Sequence, residues 1–93
     1  MLSRLYSVYD SKALAYSPPF MAGTDGLAVR MLTELVSDNI TNIGRHPSDF
    51  RLYCVGMFDD QSGGLAPLAP AEHIVDAVAL VPYQKKLPLE ESP

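Results

Sequence analysis

The chain has 93 residues, 47% of them hydrophobic, with a formal charge of −4 and one cysteine. This size suits one compact domain with a modest core, and a lone Cys54 excludes an internal disulfide and fits a reducing compartment. The acidic balance argues against a protein held on nucleic acid chiefly by neutralised phosphates.

The charge is unevenly spread. Residues 1–51 carry five Lys/Arg (Arg4, Lys12, Arg30, Arg45, Arg51) against five Asp/Glu, whereas residues 52–93 carry two (Lys85, Lys86) against six. A local basic face on the first half is therefore compatible with the overall sign.

The first element is a strand over residues 4–9. Alternation puts Tyr6 and Val8 on one face and Leu5, Ser7 and Tyr9 on the other. The residues ahead of it lack the apolar core of a signal peptide, and no stretch approaches the ~20 apolar residues of a spanning helix. An intracellular, soluble protein without a membrane segment is expected. Asp10-Ser11-Lys12 supplies turn chemistry, residues 13–16 return as a short second strand, and Ser17-Pro18-Pro19 ends that hairpin by withdrawing two backbone donors.

Thr24 or Asp25 is a natural N-cap for a helix over residues 25–37, with Gly23 admitting a sharp entry. Its apolar stripe is Ala28, Leu32, Leu35 and Val36, widened by Val29 and Met31. Residues 38–49 read as a polar loop whose Ile40 and Ile43 clip onto the core. The strongest strand covers residues 50–58, with Leu52, Cys54 and Phe58 on one face and Tyr53, Val55 and Met57 on the other. Both faces are apolar, as expected of a central strand or one covered by a partner. That pattern points to a homodimer with Val55 and Met57 at the interface.

Asp59-Asp60-Gln61-Ser62-Gly63-Gly64 reads as a hairpin turn, and residues 65–68 as a short edge strand limited by Pro67. Pro70 in a first turn, then Ile74, Val75 and Val78, predict a short second helix over residues 70–80, stopped by Pro82. Residues 84–93 are expected to be a flexible tail. The whole is predicted to be a small α+β domain over residues 1–83: two hairpins in an antiparallel sheet, with the main helix packed on one face and the short helix near the C-terminus.

No catalytic or metal centre is expected. A calcium loop starting at Asp59 would need a bidentate Glu at its twelfth position, where Pro70 stands. His46 and His73 have no second His or Cys at ligand spacing, and Glu72 and Asp76, one turn apart on the predicted helix, read as a solvated face. Cys54, between Tyr53 and Val55, reads as core rather than nucleophile. No serine sits on a nucleophile-elbow motif, so neither an enzyme nor a cofactor is predicted. The surface candidates are the aromatics and arginines of the strands: Arg4, Tyr6, Tyr9, Arg51 and Tyr53. Rings on an open sheet beside arginines can stack the bases of single-stranded nucleic acid, at roughly 1–3 kcal/mol per base. The plainer reading is that tyrosine packs well on a pleated surface while its hydroxyl stays wet.

Three blocks carry a resemblance to a known family: Arg4-Leu5-Tyr6-Ser7-Val8-Tyr9-Asp10, then Pro18-Pro19-Phe20 with Asp25-Gly26-Leu27-Ala28-Val29-Arg30, then Leu52-Tyr53-Cys54-Val55-Gly56-Met57-Phe58-Asp59. In order and spacing the chain resembles the small nonstructural protein of gokushoviruses, single-stranded DNA phages of the Microviridae, over about residues 4–78. The resemblance implies a protein of the host bacterial cytoplasm, outside the virion, that switches viral DNA replication from duplex synthesis to single-strand synthesis coupled to packaging. It carries over no catalytic residues. Two modes of action follow. In one, the protein binds single-stranded DNA or the replication complex, with Arg4, Tyr6, Arg51 and Tyr53 as the nucleic-acid-binding set. In the other, it is an acidic adaptor engaging a phage replication or procapsid protein, or a host factor, without touching DNA.

Overall fold

A computed structural model describes residues 1–82; the tail expected at residues 84–93 lies outside the described residues. Five strands form one antiparallel sheet: β1 (Leu2–Asp10), β2 (Ala15–Tyr16), β3 (Phe20–Ala22), β4 (Phe50–Asp59) and β5 (Leu65–Asp76). The order is β2-β1-β4-β5, and β3 shares the outer edge of β1 with β2. The helix α1 (Asp25–Val36) crosses one face, and a single-turn helix α2 (Asn42–Arg45) and 3-10 turns at Pro47–Asp49 and Ala77–Leu80 close its ends. The α+β class, both hairpins and the main helix agree with the sequence pattern.

The core lies between α1 and the middle of the sheet. Tyr6 and Val8 from β1 and Leu52 and Cys54 from β4 face Ala28, Leu32 and Val36 from α1, with Ala77 and Val81 closing one end. Thr24 caps α1, its hydroxyl accepting the Leu27 amide at 3.1 Å, a contact that satisfies one of the orphan donors of the first turn. The helix stripe is narrower than its spacing predicts. Leu35 and Met31 stay exposed, because Ala28, Leu32 and Val36 fill the core contact with Val29 packed at its side.

Ser17 continues the β1 edge. Its amide donates to the Val8 carbonyl at 2.8 Å, and its hydroxyl accepts the Val8 amide at 3.0 Å. Pro18 and Pro19 then pass along the sheet edge, where a missing donor costs no ladder bond, and the chain re-pairs as β3, a strand the proline pair hides from sequence reasoning. At the other hairpin Gly63 adopts φ +75°, a backbone region open to glycine without penalty.

The helix predicted over residues 70–80 is corrected. This segment is the second half of β5, followed by the 3-10 turn Ala77–Leu80. Ile74, Val75 and Val78 look helical because β-bulges break the period-2 alternation of the strand. Leu52 pairs with Val75 and Tyr53 with His73, so Ile74 has no partner opposite it. The same holds in β4, where Cys54 and Gly56 have partners on both neighbouring strands and Val55 has none. Gly56 is required there, because a Cβ would come within 2.7 Å of the Ala66 carbonyl oxygen. The polar loop predicted at 38–49 contains α2, capped by the Thr41 hydroxyl on the Gly44 amide at 2.9 Å.

Candidate functional site

The sheet face opposite α1 gathers side chains from four strands. Alternation along β1 and β4 turns Tyr6, Val8, Leu52 and Cys54 to the helix, so Ser7, Tyr9, Arg51 and Tyr53 go to the outer face. Across β1 and β4, Tyr9 pairs with Arg51 and Ser7 with Tyr53; Tyr16 on β2 lies opposite Tyr9, and His73 on β5 opposite Tyr53. The rings touch in a continuous run. Ring centroids are 4.8 Å apart for Tyr9 and Tyr16, 5.7 Å for Tyr16 and Tyr53, and 5.5 Å for Tyr53 and His73, the last two edge-on. Edge-to-face contact suits the ring quadrupoles. Tyr16 on the edge strand β2 and His73 on the opposite edge strand β5 keep their side chains about half exposed.

The polar margin of this patch is built by the bulge at Ile74. Residues three apart on a regular strand point to opposite faces, but the extra residue brings His73 and Asp76 to the same one. His73 Nε2 lies 2.7 Å from Asp76 Oδ1, and the Arg51 Nε lies 3.7 Å from the same oxygen.

Arg4 and Tyr6 are on the helix side, so the four residues expected to act together are split between two faces. Tyr6 is fully buried and presents no ring face to a ligand, which removes it from the base-stacking set. Its hydroxyl donates to Asp25 Oδ1 at 2.5 Å and accepts from Arg4 Nε at 3.3 Å. Arg4 also reaches Asp25 at 2.9 Å through Nε and Glu72 at 2.7 Å through Nη2. Burial pushes the Tyr6 hydroxyl above its ordinary pKa. The Tyr6 hydrogen bond, reinforced by Arg4, holds the Asp25 carboxyl below its own. The Arg4 guanidinium is pushed up, first by Glu72 and then by Tyr6. This cluster ties the start of α1 to β1 and β5 and engages the Arg4 guanidinium with two carboxylates, so it is not a free anion site.

Val55 and Met57, the predicted interface residues, are both partly buried, Val55 as the unpaired residue of the bulge. Cys54 is buried as a free thiol. Among the described residues no three His, Cys, Asp or Glu side chains converge as a metal site, and no helix is long and apolar enough to cross a membrane. Sequence reasoning missed Tyr16, His73 and Asp76. Tyr16 was legible from the hairpin register that sets it opposite Tyr9. His73 and Asp76 were hidden by the helical reading of residues 70–80.

The family model described as "Phage ORF5 protein" matches residues 3–80. A similar protein, "Protein ORF5" of Chlamydia phage 1, is 34% identical over 67 residues, covering 68% of this chain and 70% of that one. No solved structure matches the chain. The chain belongs to the Phage ORF5 protein family, and the resemblance to the gokushovirus nonstructural protein is borne out.

Proposed function

We propose that this nonstructural phage protein acts in viral DNA replication, or in the coupling of single-strand synthesis to packaging, by binding single-stranded DNA on the outer face of its sheet. The observation that carries this reading is the run Tyr9, Tyr16, Tyr53 and His73 with Arg51 at its margin. Unpaired bases stack on such rings whatever their sequence, each contributing about 1–3 kcal/mol, while an arginine positions the backbone. A duplex keeps its bases stacked on each other and offers no free faces to the patch. The protein acts by binding, not catalysis, in the host cytoplasm and outside the virion.

The chain's charge of −4 makes stacking, rather than phosphate neutralisation, the main source of affinity. Fluorescence anisotropy of labelled single-stranded and duplex DNA across a salt series tests this. Preference for the single strand with a shallow salt slope is the expected result. Equal affinity for duplex, or no binding at low salt, rejects it.

A second reading, an adaptor for a phage replication or procapsid protein or a host factor, is favoured by a separate observation. Leu27, Met31 and Leu35 are 49%, 45% and 41% exposed, and they recur every fourth residue along α1, a spacing that aligns them in one apolar row. Absence of DNA affinity together with loss of partner capture in a Met31→Glu variant supports the adaptor.

A further inference from the structure

We infer that Arg51 and His73 form a subsite for one backbone phosphate of single-stranded DNA, which Asp76 occupies as an internal stand-in when the protein is free. The inference rests on the single-strand reading above and adds to it a specific anion site and a mechanism of competition. Two groups from different strands converge on one carboxylate oxygen: His73 Nε2 at 2.7 Å and Arg51 Nε at 3.7 Å from Asp76 Oδ1. A hydrogen-bonding imidazole and a guanidinium at ion-pair distance that face one anionic oxygen also suit a phosphate oxygen.

The location fits the ligand. His73 is in edge contact with Tyr53, and Arg51 lies across from Tyr9, so a base stacked on the tyrosines carries its phosphate to this margin of the patch. The arrangement is also bought at a structural cost that a plain surface ion pair does not need: the β-bulge at Ile74 that alone puts His73 and Asp76 on one face. Arg51, His73 and Asp76 are each 43–48% exposed, so an incoming phosphate can displace the carboxylate without opening the core. Such exposed pairs are weak, as a displaceable contact must be.

The test is the Asp76→Asn variant, which keeps the side-chain shape and removes the competing charge, titrated beside the wild type with labelled poly-dT, a duplex of matched length and inorganic phosphate as competitor. The expected result is a gain in poly-dT affinity of roughly three- to tenfold at low salt, with the salt slope steeper by about one. Adding Arg51→Ala to Asp76→Asn abolishes the gain. Competition by inorganic phosphate alone, with no preference of the variant for poly-dT, assigns the site to free anion and overturns the DNA assignment. Wild-type binding with an unchanged Asp76→Asn affinity overturns the subsite and leaves the stacking face standing. Absence of poly-dT binding by both proteins at low salt overturns both.

Discussion

The Tyr6 hydroxyl donates a 2.5 Å hydrogen bond to the Asp25 carboxylate, joining the middle of β1 to the first turn of α1. One bond thus fixes both the depth at which the helix starts and the rotamer of the largest fully buried side chain. Tyr6→Phe keeps the ring and its packing and removes the bond to Asp25 together with the longer one accepted from Arg4. It is expected to cost about 1–2 kcal/mol, seen as a lower denaturation midpoint with an unchanged denaturant slope. An unchanged midpoint excludes this contact as a stabilising link.

The same contact sets an acid limit. The folded Asp25 carboxyl is depressed below its ordinary 3.8, first by the Tyr6 hydroxyl and then by Arg4. Its contribution is therefore present above that ordinary value and is lost as pH falls through the lower folded one. Thermal melts of the wild type and Asp25→Asn should differ by a constant margin from neutral pH to about pH 5, and the margin should shrink progressively as pH falls below the ordinary carboxylate value and through the lower folded one. At the alkaline end the sign reverses. The Tyr6 hydroxyl is raised above 10.0 by burial, so its neutral form stabilises the fold below that pH, and stability falls as pH rises through the higher folded value. A margin that persists undiminished into strong acid removes Asp25 from this role.

The β1–β2 connection holds one unfavourable backbone conformation. Leu14 sits at φ +57° and is 75% exposed, so its side chain gains little from burial while its Cβ is crowded by the left-handed geometry. Leu14→Asn, a residue that tolerates this region, is expected to raise stability by up to ~1 kcal/mol. Differential scanning calorimetry would register this as an increase of a few degrees for a domain of this size. A lower midpoint would show that Leu14 has a packing role its exposure hides.

How much of this fold the sequence discloses follows from where the two periodicities run unbroken. The helix over residues 25–37 is found at Asp25–Val36, because it shows several turns of consistent period, and the strand over 50–58 is found at Phe50–Asp59. The bulge at Val55, however, sets Met57 opposite Arg4 on the helix side and Phe58 opposite Ser3, so the face grouping expected for Tyr53, Val55 and Met57 holds only ahead of the bulge. β5 is misread because its bulges at Ile74 and around residues 68–71 add residues with no opposite partner. A bulge erases the period-2 pattern in one dimension while preserving the ladder in three. The candidate site fails in the same way. Arg51 and Tyr53 lie on the regular part of β4 ahead of the bulge at Val55 and share a face, whereas Arg4 and Tyr6 belong to the opposite face, a relation set by which side α1 covers. His73 and Asp76 meet only through the bulge, which no local pattern announces.

The partly buried Val55 and Met57 motivate a homodimer prediction. If a second copy covers this part of β4, Met57→Asp should shift the protein to monomer in sedimentation velocity while its circular dichroism is retained. A wild type that sediments as a monomer across micromolar concentrations rules the dimer out. Val55→Asp serves as a second variant, because a defect confined to folding would lower the melting temperature of both without a monomer being recovered.

The tyrosines of the outer face differ in exposure, and this predicts unequal effects on DNA. Tyr16, on the edge strand β2, is 50% exposed, and Tyr53 is partly buried between Tyr9, Tyr16 and His73. A ring that stacks a base must offer a face, so Tyr16→Leu should remove one stacking contact directly, about 1–3 kcal/mol or roughly 5- to 150-fold in affinity. Tyr53→Leu should weaken binding by a comparable or larger factor, because it also unseats the edge contacts that hold Tyr16 and His73 in place. Leucine keeps apolar bulk on the sheet, so a loss of folding is separable by thermal melts. Because stacking faces rather than charges are removed, the salt slope of the remaining binding should be unchanged in both variants, in contrast to the steeper slope expected of Asp76→Asn. Unaltered affinity in both leucine variants would place any DNA contact elsewhere on the protein.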